Sequence, residues 1–294
     1  HQYYYTVPYY VESSIKEKLD IPGVKPLFLI FLGALALGTA VLFIGGPALV
    51  LFPIAFIIGF SFPSLMWISY VYSYDIYEPE PGRAVLIVLT WGMLSVIPAL
   101  MLELPFTFNI FVAAAIGAPI VEEFVKPLGI YAVKKEIDNE LDGIIYGVSA
   151  GMGFAMVENI FYELAAVFAK EPTAAWGFTT LVRGLGSIVV HGVGAGLIGY
   201  AYARYIHGKS GFSTILWFYG FAVLFHAIWN GTVSILELYI AEIAALLTFI
   251  GFIIIFPLIG YFIIYSFLKK ASEPTYEITA IPPPPYYQNY KRYQ

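Results

Sequence analysis

Residues 178–206 read FTTLVRGLGSIVVHGVGAGLIGYAYARYI. The run stays apolar and glycine-rich for longer than the roughly 20 residues a helix needs to cross the hydrocarbon core of a bilayer. It does not alternate between polar and apolar positions, as a membrane-spanning strand must. Near its centre stands His191, an ionisable group at a depth where such groups are costly and commonly mark a pathway or reaction centre.

Working outward, segments of the same kind lie at 26–44, 47–72, 83–102, 106–133, 142–168, 212–237 and 241–268. The pattern predicts an all-α fold, a polytopic membrane helical bundle of about eight transmembrane helices. Composition agrees: the 294 residues are 60% hydrophobic and 12% charged, where a soluble domain carries about a quarter charged residues. There is no cysteine, which removes a thiol nucleophile, Cys-ligated zinc and disulfides. A net charge of −5 leaves no basic face for nucleic acid.

Basic residues set the expected orientation. With eight crossings both termini share a side, and that side holds Lys16, Lys18, Lys25, Arg83, Lys134, Lys135, Arg204, Lys209, Lys269, Lys270, Lys291 and Arg292. The opposite loops hold Lys170. Such asymmetry predicts a multi-pass protein of the cell membrane with both termini cytoplasmic.

The polar residues within spans are concentrated in four of them: Glu122, Glu123 and Lys126; Glu158 and Asn159; His191; His226 and Asn230. Counting from the cytoplasmic end of each span places Glu123 roughly 15 Å deep, His226 about 21 Å, His191 about 22 Å, Glu158 about 24 Å and Asn230 about 27 Å. Depths this similar predict one shared cavity. Glu122 and Lys126 are four residues apart in the favourable order for an ion pair, which leaves Glu123 without a local partner and marks it as the reactive member. His226 and Asn230 share a face by the same spacing. Pro119 and Pro127 bracket the two acids and predict a strained helix there.

A buried Glu/His set suits amide hydrolysis, which needs an activated water, stabilisation of the oxyanion and a proton for the leaving amine. Desolvation makes a carboxylate a better proton acceptor near neutral pH. Two chemistries stay open. In the metal-free one, Glu122 or Glu123 activates water while His226 and Asn230 polarise the carbonyl. In the other, zinc is bound by His191, His226 and a glutamate, with Glu158 as a candidate ligand. Glu158 and Asn159 could equally hold a histidine in one tautomer. No His-Glu-x-x-His is present. Gly147-Val-Ser149-Ala-Gly151 matches a serine-hydrolase elbow, but its mid-helix setting favours a packing role. Asp75 and Asp142 are read as span ends, not as an aspartate pair, and Glu163 and Arg183 are placed at the outer interface, where Arg183 could also pair with Glu158 or Glu163.

Glu-Glu-Phe-Val-Lys at 122–126, Asp-Gly-Ile-Ile-Tyr-Gly at 142–147, Gly-Phe-Ala-Met-Val-Glu-Asn at 153–159, His191 and His226-Ala-Ile-Trp-Asn230 together resemble the PrsW-type intramembrane proteases. That family is similar to the CAAX prenyl endopeptidases and bacteriocin-processing membrane proteases. The resemblance runs from Glu122 to Asn230. It implies hydrolysis of membrane-anchored protein substrates, with Glu122, Glu123, His191, His226 and Asn230 as catalytic residues and Lys126, Glu158 and Asn159 in support. The CAAX pattern carries His four residues after its Phe, whereas Glu158 follows Phe154 here.

The resulting division is a cytoplasmic Tyr-rich tail at 1–25, three transmembrane helices over 26–105, a catalytic transmembrane core over 106–240, a last transmembrane helix at 241–268 and a cytoplasmic Pro/Tyr-rich tail at 269–294. The expected partners are a membrane-anchored protein substrate and the lipid bilayer, not nucleic acid; oligomeric state is not encoded in any feature of the chain. The rival readings are a proton-coupled transporter or channel and a non-catalytic scaffold of the same fold. A transporter would be expected to show inverted repeats, and the polar residues instead fall in the second half.

Overall fold

A computed structural model describes residues 20–76, 79–239 and 242–273. The two tails read from the sequence therefore lie largely outside the described residues. Among those described there is no strand, and seven helical stretches are long and apolar enough to cross a membrane. The chain is a multi-pass helical membrane bundle.

The first stretch is α1 (Val24–Ile44), followed by a 3-10 turn leading into α2 (Phe52–Tyr72). α3 (Gly82–Leu94) and α4 (Val96–Glu103) continue one another through Ser95. The segment at 106–133, expected as an eighth spanning helix, is not one continuous helix. It is built from α5 (Ile110–Val112), a π-helical turn at Ala113–Gly117, α6 (Ala118–Val125) and a 3-10 run at Lys126–Val133. Prolines explain the breaks: each lacks a backbone donor and crowds the preceding turn, and Pro119 and Pro127 sit in the first turns of their elements. α7 (Glu140–Val167) follows. α8 (Pro172–Val182) and α9 (Ile188–Ile206) are joined by a second π-helical turn at Arg183–Ser187. α10 (Phe212–Leu238) and α11 (Ile243–Ala271) complete the bundle.

α7 is the central helix, buried along most of its length and packed between α9 and α3. Small residues permit the approach, as expected where helices associate without a hydrophobic driving force. A Cβ added to Gly147 would stand 2.2 Å from the Ala195 carbonyl oxygen, and one on Gly153 2.0 Å from that of Leu89. Ser149 lies inside this packed face, wholly buried, with its hydroxyl donating to the Ile145 carbonyl at 2.7 Å. The apparent elbow motif is thus a packing motif. α1, α2, α10 and α11 turn large apolar side chains outward, such as Leu29, Ile57, Leu224 and Ile255. A bilayer supplies the solvent such a surface requires.

Two sets of acids read as lying near span ends gain partners in the structure. Glu163 is fully buried between α2 and α8, where Trp176 Nε1 donates to its Oε2 at 3.2 Å. Asp75 and Asp142 do lie at span ends, just after α2 and in the first turn of α7, and with Glu80 they form a buried group whose carboxylate oxygens come within 4.8 Å of one another. Their bonds are structural. Asp142 closes the capping box of α7 and accepts the Asp138 and Asn139 amides, Asp75 accepts the Glu80 amide, and the Tyr146 hydroxyl donates to Glu80. They tie the loop after α2 to the start of α7.

Candidate active site

The broken segment delivers the acids. In α6 the Lys126 amide still bonds the Glu122 carbonyl, but Pro127 offers the Glu123 carbonyl no donor. The chain tightens into the 3-10 run, in which residues three apart eclipse. Lys126 consequently reaches Glu123 rather than pairing chiefly with Glu122. Its Nζ is 2.7 Å from Glu123 Oε1 and 3.5 Å from Glu122 Oε2. All three residues are buried. Glu123 is therefore not the unpaired acid inferred from spacing.

α9 and α10 bring the imidazoles to the same place, with ring centroids 5.2 Å apart. His226 Nδ1 lies 2.7 Å from Glu123 Oε1, so its N–H donates to that carboxylate. This directs the Nε2 lone pair toward Glu122 Oε2, at 3.9 Å. His191 Nε2 lies 2.9 Å from Glu158 Oε2 and donates there. Its Nδ1 then points to the same Glu122 oxygen, also at 3.9 Å, and accepts from Lys126 Nζ at 2.9 Å. Phe154 walls the site, with the Lys126 ammonium 4.9 Å from its ring centroid. Gly194 leaves the space Glu123 needs, since a Cβ there would stand 2.4 Å from Glu123 Oε2. That oxygen is buried without a hydrogen-bond partner among the described residues.

The remaining polar residues lie outside this centre. Glu158 touches His191 and not the Glu122 oxygen, so the group able to hold a metal is Glu122, His191 and His226, without Glu158. Asn159 is buried, and its Oδ1 accepts from Arg183 Nε at 2.6 Å. Asn230 turns away to the broken segment, where Nδ2 donates to the Ala114 carbonyl at 2.9 Å. Arg183 is buried and, of the two acids expected within its reach, pairs with Glu158, donating through Nη2 to Oε2 at 2.6 Å.

The donors suit a zinc-type ion. Two imidazoles and a carboxylate are a common set for a catalytic zinc that keeps a position open. Each imidazole has its second nitrogen on a carboxylate, the arrangement that fixes ligand tautomer and orientation. The Glu122, His191 and His226 ligand atoms lie within 4.8 Å of one another.

Residues 80–261 match the sequence model of a family described as PrsW family intramembrane metalloprotease. The chain belongs to the PrsW family. Among curated relatives, "Protease PrsW" of Geobacillus kaustophilus is 37% identical over 111 residues, covering 35% of this chain and 49% of the relative. Proteins of the same name from Shouchella clausii and Bacillus subtilis are 32% and 27% identical, over 42% of this chain and 63% and 62% of their own length. The chain thus spans about half to two thirds of the relatives it matches. No solved structure matches it. Glu122, Glu123, Lys126, Glu158, Asn159, His191, His226 and Asn230 all fall within the matched region of this family member.

Arg183 is the site residue whose partner sequence reasoning left open between Glu158 and Glu163, and the structure pairs it with Glu158. The signal was an arginine inside an apolar, glycine-rich run, where an isolated charge cannot stay unpaired. Eight residues of unbroken α-helix would set Arg183 and His191 about 80° apart. The π-helical turn between them takes up an extra residue and realigns the two. Nothing in the composition of Arg183–Ser187 announces that turn.

Proposed function

We propose that this chain is an intramembrane endopeptidase that cleaves membrane-anchored protein substrates, with Glu122, His191 and His226 holding a zinc ion. One observation carries the reading: Glu122 Oε2 lies 3.9 Å from both His191 Nδ1 and His226 Nε2, while the other nitrogen of each ring is engaged by a carboxylate. The bound ion would supply Lewis-acid polarisation of the scissile carbonyl and a reactive water. Glu158 and Glu123 keep the rings in the tautomers that direct lone pairs to Glu122. Glu123 Oε2, the buried oxygen without a partner, takes a proton from the attacking water and passes it to the leaving amine. Lys126 offsets the charge of the acid pair. Asn159 and Asn230 brace neighbouring backbone and side chains rather than touching substrate.

A second reading has its own support. The Lys126 ammonium, 2.9 Å from His191 Nδ1, already supplies a cation beside the ligand atoms. In that case a metal-free Glu/His site would activate water and polarise the carbonyl by itself.

Reading the broken segment at 106–133 as an eighth crossing beside the seven candidate spans, and taking the bias of Lys and Arg toward one side, supports cytoplasmic termini in the cell membrane. The catalytic unit on this reading is 106–240, with 26–105 and 241–268 as flanking helices.

The test is cleavage of a membrane-anchored reporter in reconstituted vesicles by wild type, Glu122→Gln, Glu123→Gln, His191→Ala and His226→Ala, with metal analysis of each. Loss of cleavage in all four, with metal lost in the Glu122 and His variants, supports the zinc reading. Cleavage unaffected by chelation and by the absence of bound metal supports the metal-free site. Wild-type rates in Glu123→Gln remove it from the mechanism.

A further inference from the structure

Arg183 has a place in the site that the motifs do not assign. It emerges from the π-helical turn between α8 and α9 and is buried against α7. Its guanidinium makes two bonds in a fork, Nη2 to Glu158 Oε2 and Nε to Asn159 Oδ1, both at 2.6 Å. The Tyr162 ring covers its outer face, with Cζ 4.0 Å from the centroid. The Glu158 oxygen that accepts from Arg183 is the same one that accepts from His191 Nε2 at 2.9 Å. A chain of contacts therefore runs from Arg183 through Glu158 to the imidazole that faces Glu122.

We propose that Arg183 is a positioning residue for the metal ligand His191, acting through Glu158. The inference rests on the zinc reading above. The physical argument is one of competing geometries. Glu158 is the most exposed member of the set, with 18% of its side chain accessible. A carboxylate held by the imidazole alone could rotate away, and His191 Nε2 would be left with the weaker Ser187 hydroxyl, at 3.4 Å. The ring would then lose the carboxylate that, opposite Lys126, holds it in orientation with the Nδ1 lone pair directed toward Glu122. A planar guanidinium gripping Glu158 and Asn159 together removes that freedom, because its fork has a fixed shape that an ammonium lacks. The two contacts fix Glu158 along α7, and Tyr162 fixes the guanidinium in turn.

Partners that orient ligating histidines typically contribute 10–100-fold to metal affinity. The experiment is a chelator-competition titration of zinc into the metal-stripped protein in detergent, for wild type, Arg183→Met, Arg183→Lys, Glu158→Gln and the double variant Arg183→Met/Glu158→Gln. Arg183→Met is expected to weaken zinc binding at least about tenfold. Arg183→Lys, which keeps one charged donor to Glu158, is expected to recover part of that. The double variant should bind about as weakly as Glu158→Gln alone, since both changes break one chain. Affinity within twofold of wild type in Arg183→Met, or full additivity in the double variant, overturns the inference while leaving the zinc reading in place. Absence of zinc binding by wild type overturns both. If Arg183→Met does not fold, Arg183→Lys and its double variant with Glu158→Gln decide by the same comparison: affinity equal to wild type, or full additivity, counts against the role.

Discussion

Asn230 Nδ2 donates to the Ala114 carbonyl at 2.9 Å, joining α10 to the π-helical turn that precedes the acid pair. A wide turn leaves carbonyls without their usual helical donors, and within a membrane these need a protein partner. Asn230 supplies one. His226, one turn earlier on the same face of α10, bonds Glu123 on the same segment. The pair at 226 and 230 thus clamps the broken segment at two levels, one in the site and one above it.

Asn230→Leu should therefore weaken the fold rather than the ligand set. Removing the donor leaves a part-buried carbonyl unsatisfied, at a cost of about 1–3 kcal/mol. Thermal unfolding in detergent should show a lowered midpoint, while zinc stoichiometry stays at the wild-type value. Metal loss with an unchanged midpoint would instead make Asn230 part of the centre.

Lys126 sits between two carboxylates and is wholly inaccessible to solvent. Lys126→Met leaves Glu122 and Glu123 as buried acids without their cation, and breaking such a pair costs about 3–5 kcal/mol. Glu123→Gln added to Lys126→Met should restore part of the lost stability, because one uncompensated charge goes with it. The comparison of unfolding midpoints for the single and double variants checks this. No recovery in the double variant would show that Lys126 acts through packing against Phe154.

Ligand linkage gives a further expectation. A metal that binds the folded chain stabilises it by about 2.7 kcal/mol when free metal is a hundredfold above its dissociation constant. Zinc should raise the unfolding midpoint of stripped wild type, and the shift should vanish in His191→Ala and His226→Ala. An equal shift in those variants would place the bound ion elsewhere.

Much of this was legible in the chain. Long apolar runs forced helices across a bilayer, and polar residues in four of them could not be tolerated unless they met. The pairings within the site were less accessible. Counting by fours joined Lys126 to Glu122, whereas Pro127 tightens the turn and swings Lys126 to Glu123. Arg183 could reach Glu158 or Glu163 by sequence alone, and the extra residue of a π-helical turn, which has no composition of its own, turns it to Glu158. Asp75, Glu80 and Asp142 come together across a loop, and contacts between distant elements leave no periodic trace. Trp176, which donates to Glu163, lies on a helix that begins at Pro172, earlier than the hydropathy of 178–206 suggested.

Two glycines on α9 offer a contrast that isolates the space around Glu123. A Cβ on Gly194 would lie 2.4 Å from Glu123 Oε2 and 3.0 Å from its carboxyl carbon, too close for the carboxylate to stay where it is. A Cβ on Gly192, half a turn away, would meet the terminal methyl of Met152 at 3.1 Å, which a flexible side chain can vacate. Both changes remove a helix-interior glycine, so both gain the propensity of alanine, up to about 1 kcal/mol. Gly192→Ala is expected to cleave a membrane-anchored reporter at near the wild-type rate. Gly194→Ala should fold yet lose at least about tenfold in rate, the 1.4 kcal/mol equivalent of a misplaced proton acceptor. Equal rates in the two variants would mean that the position of Glu123 Oε2 does not matter to the chemistry, and the proton route assigned to it would have to move to Glu122.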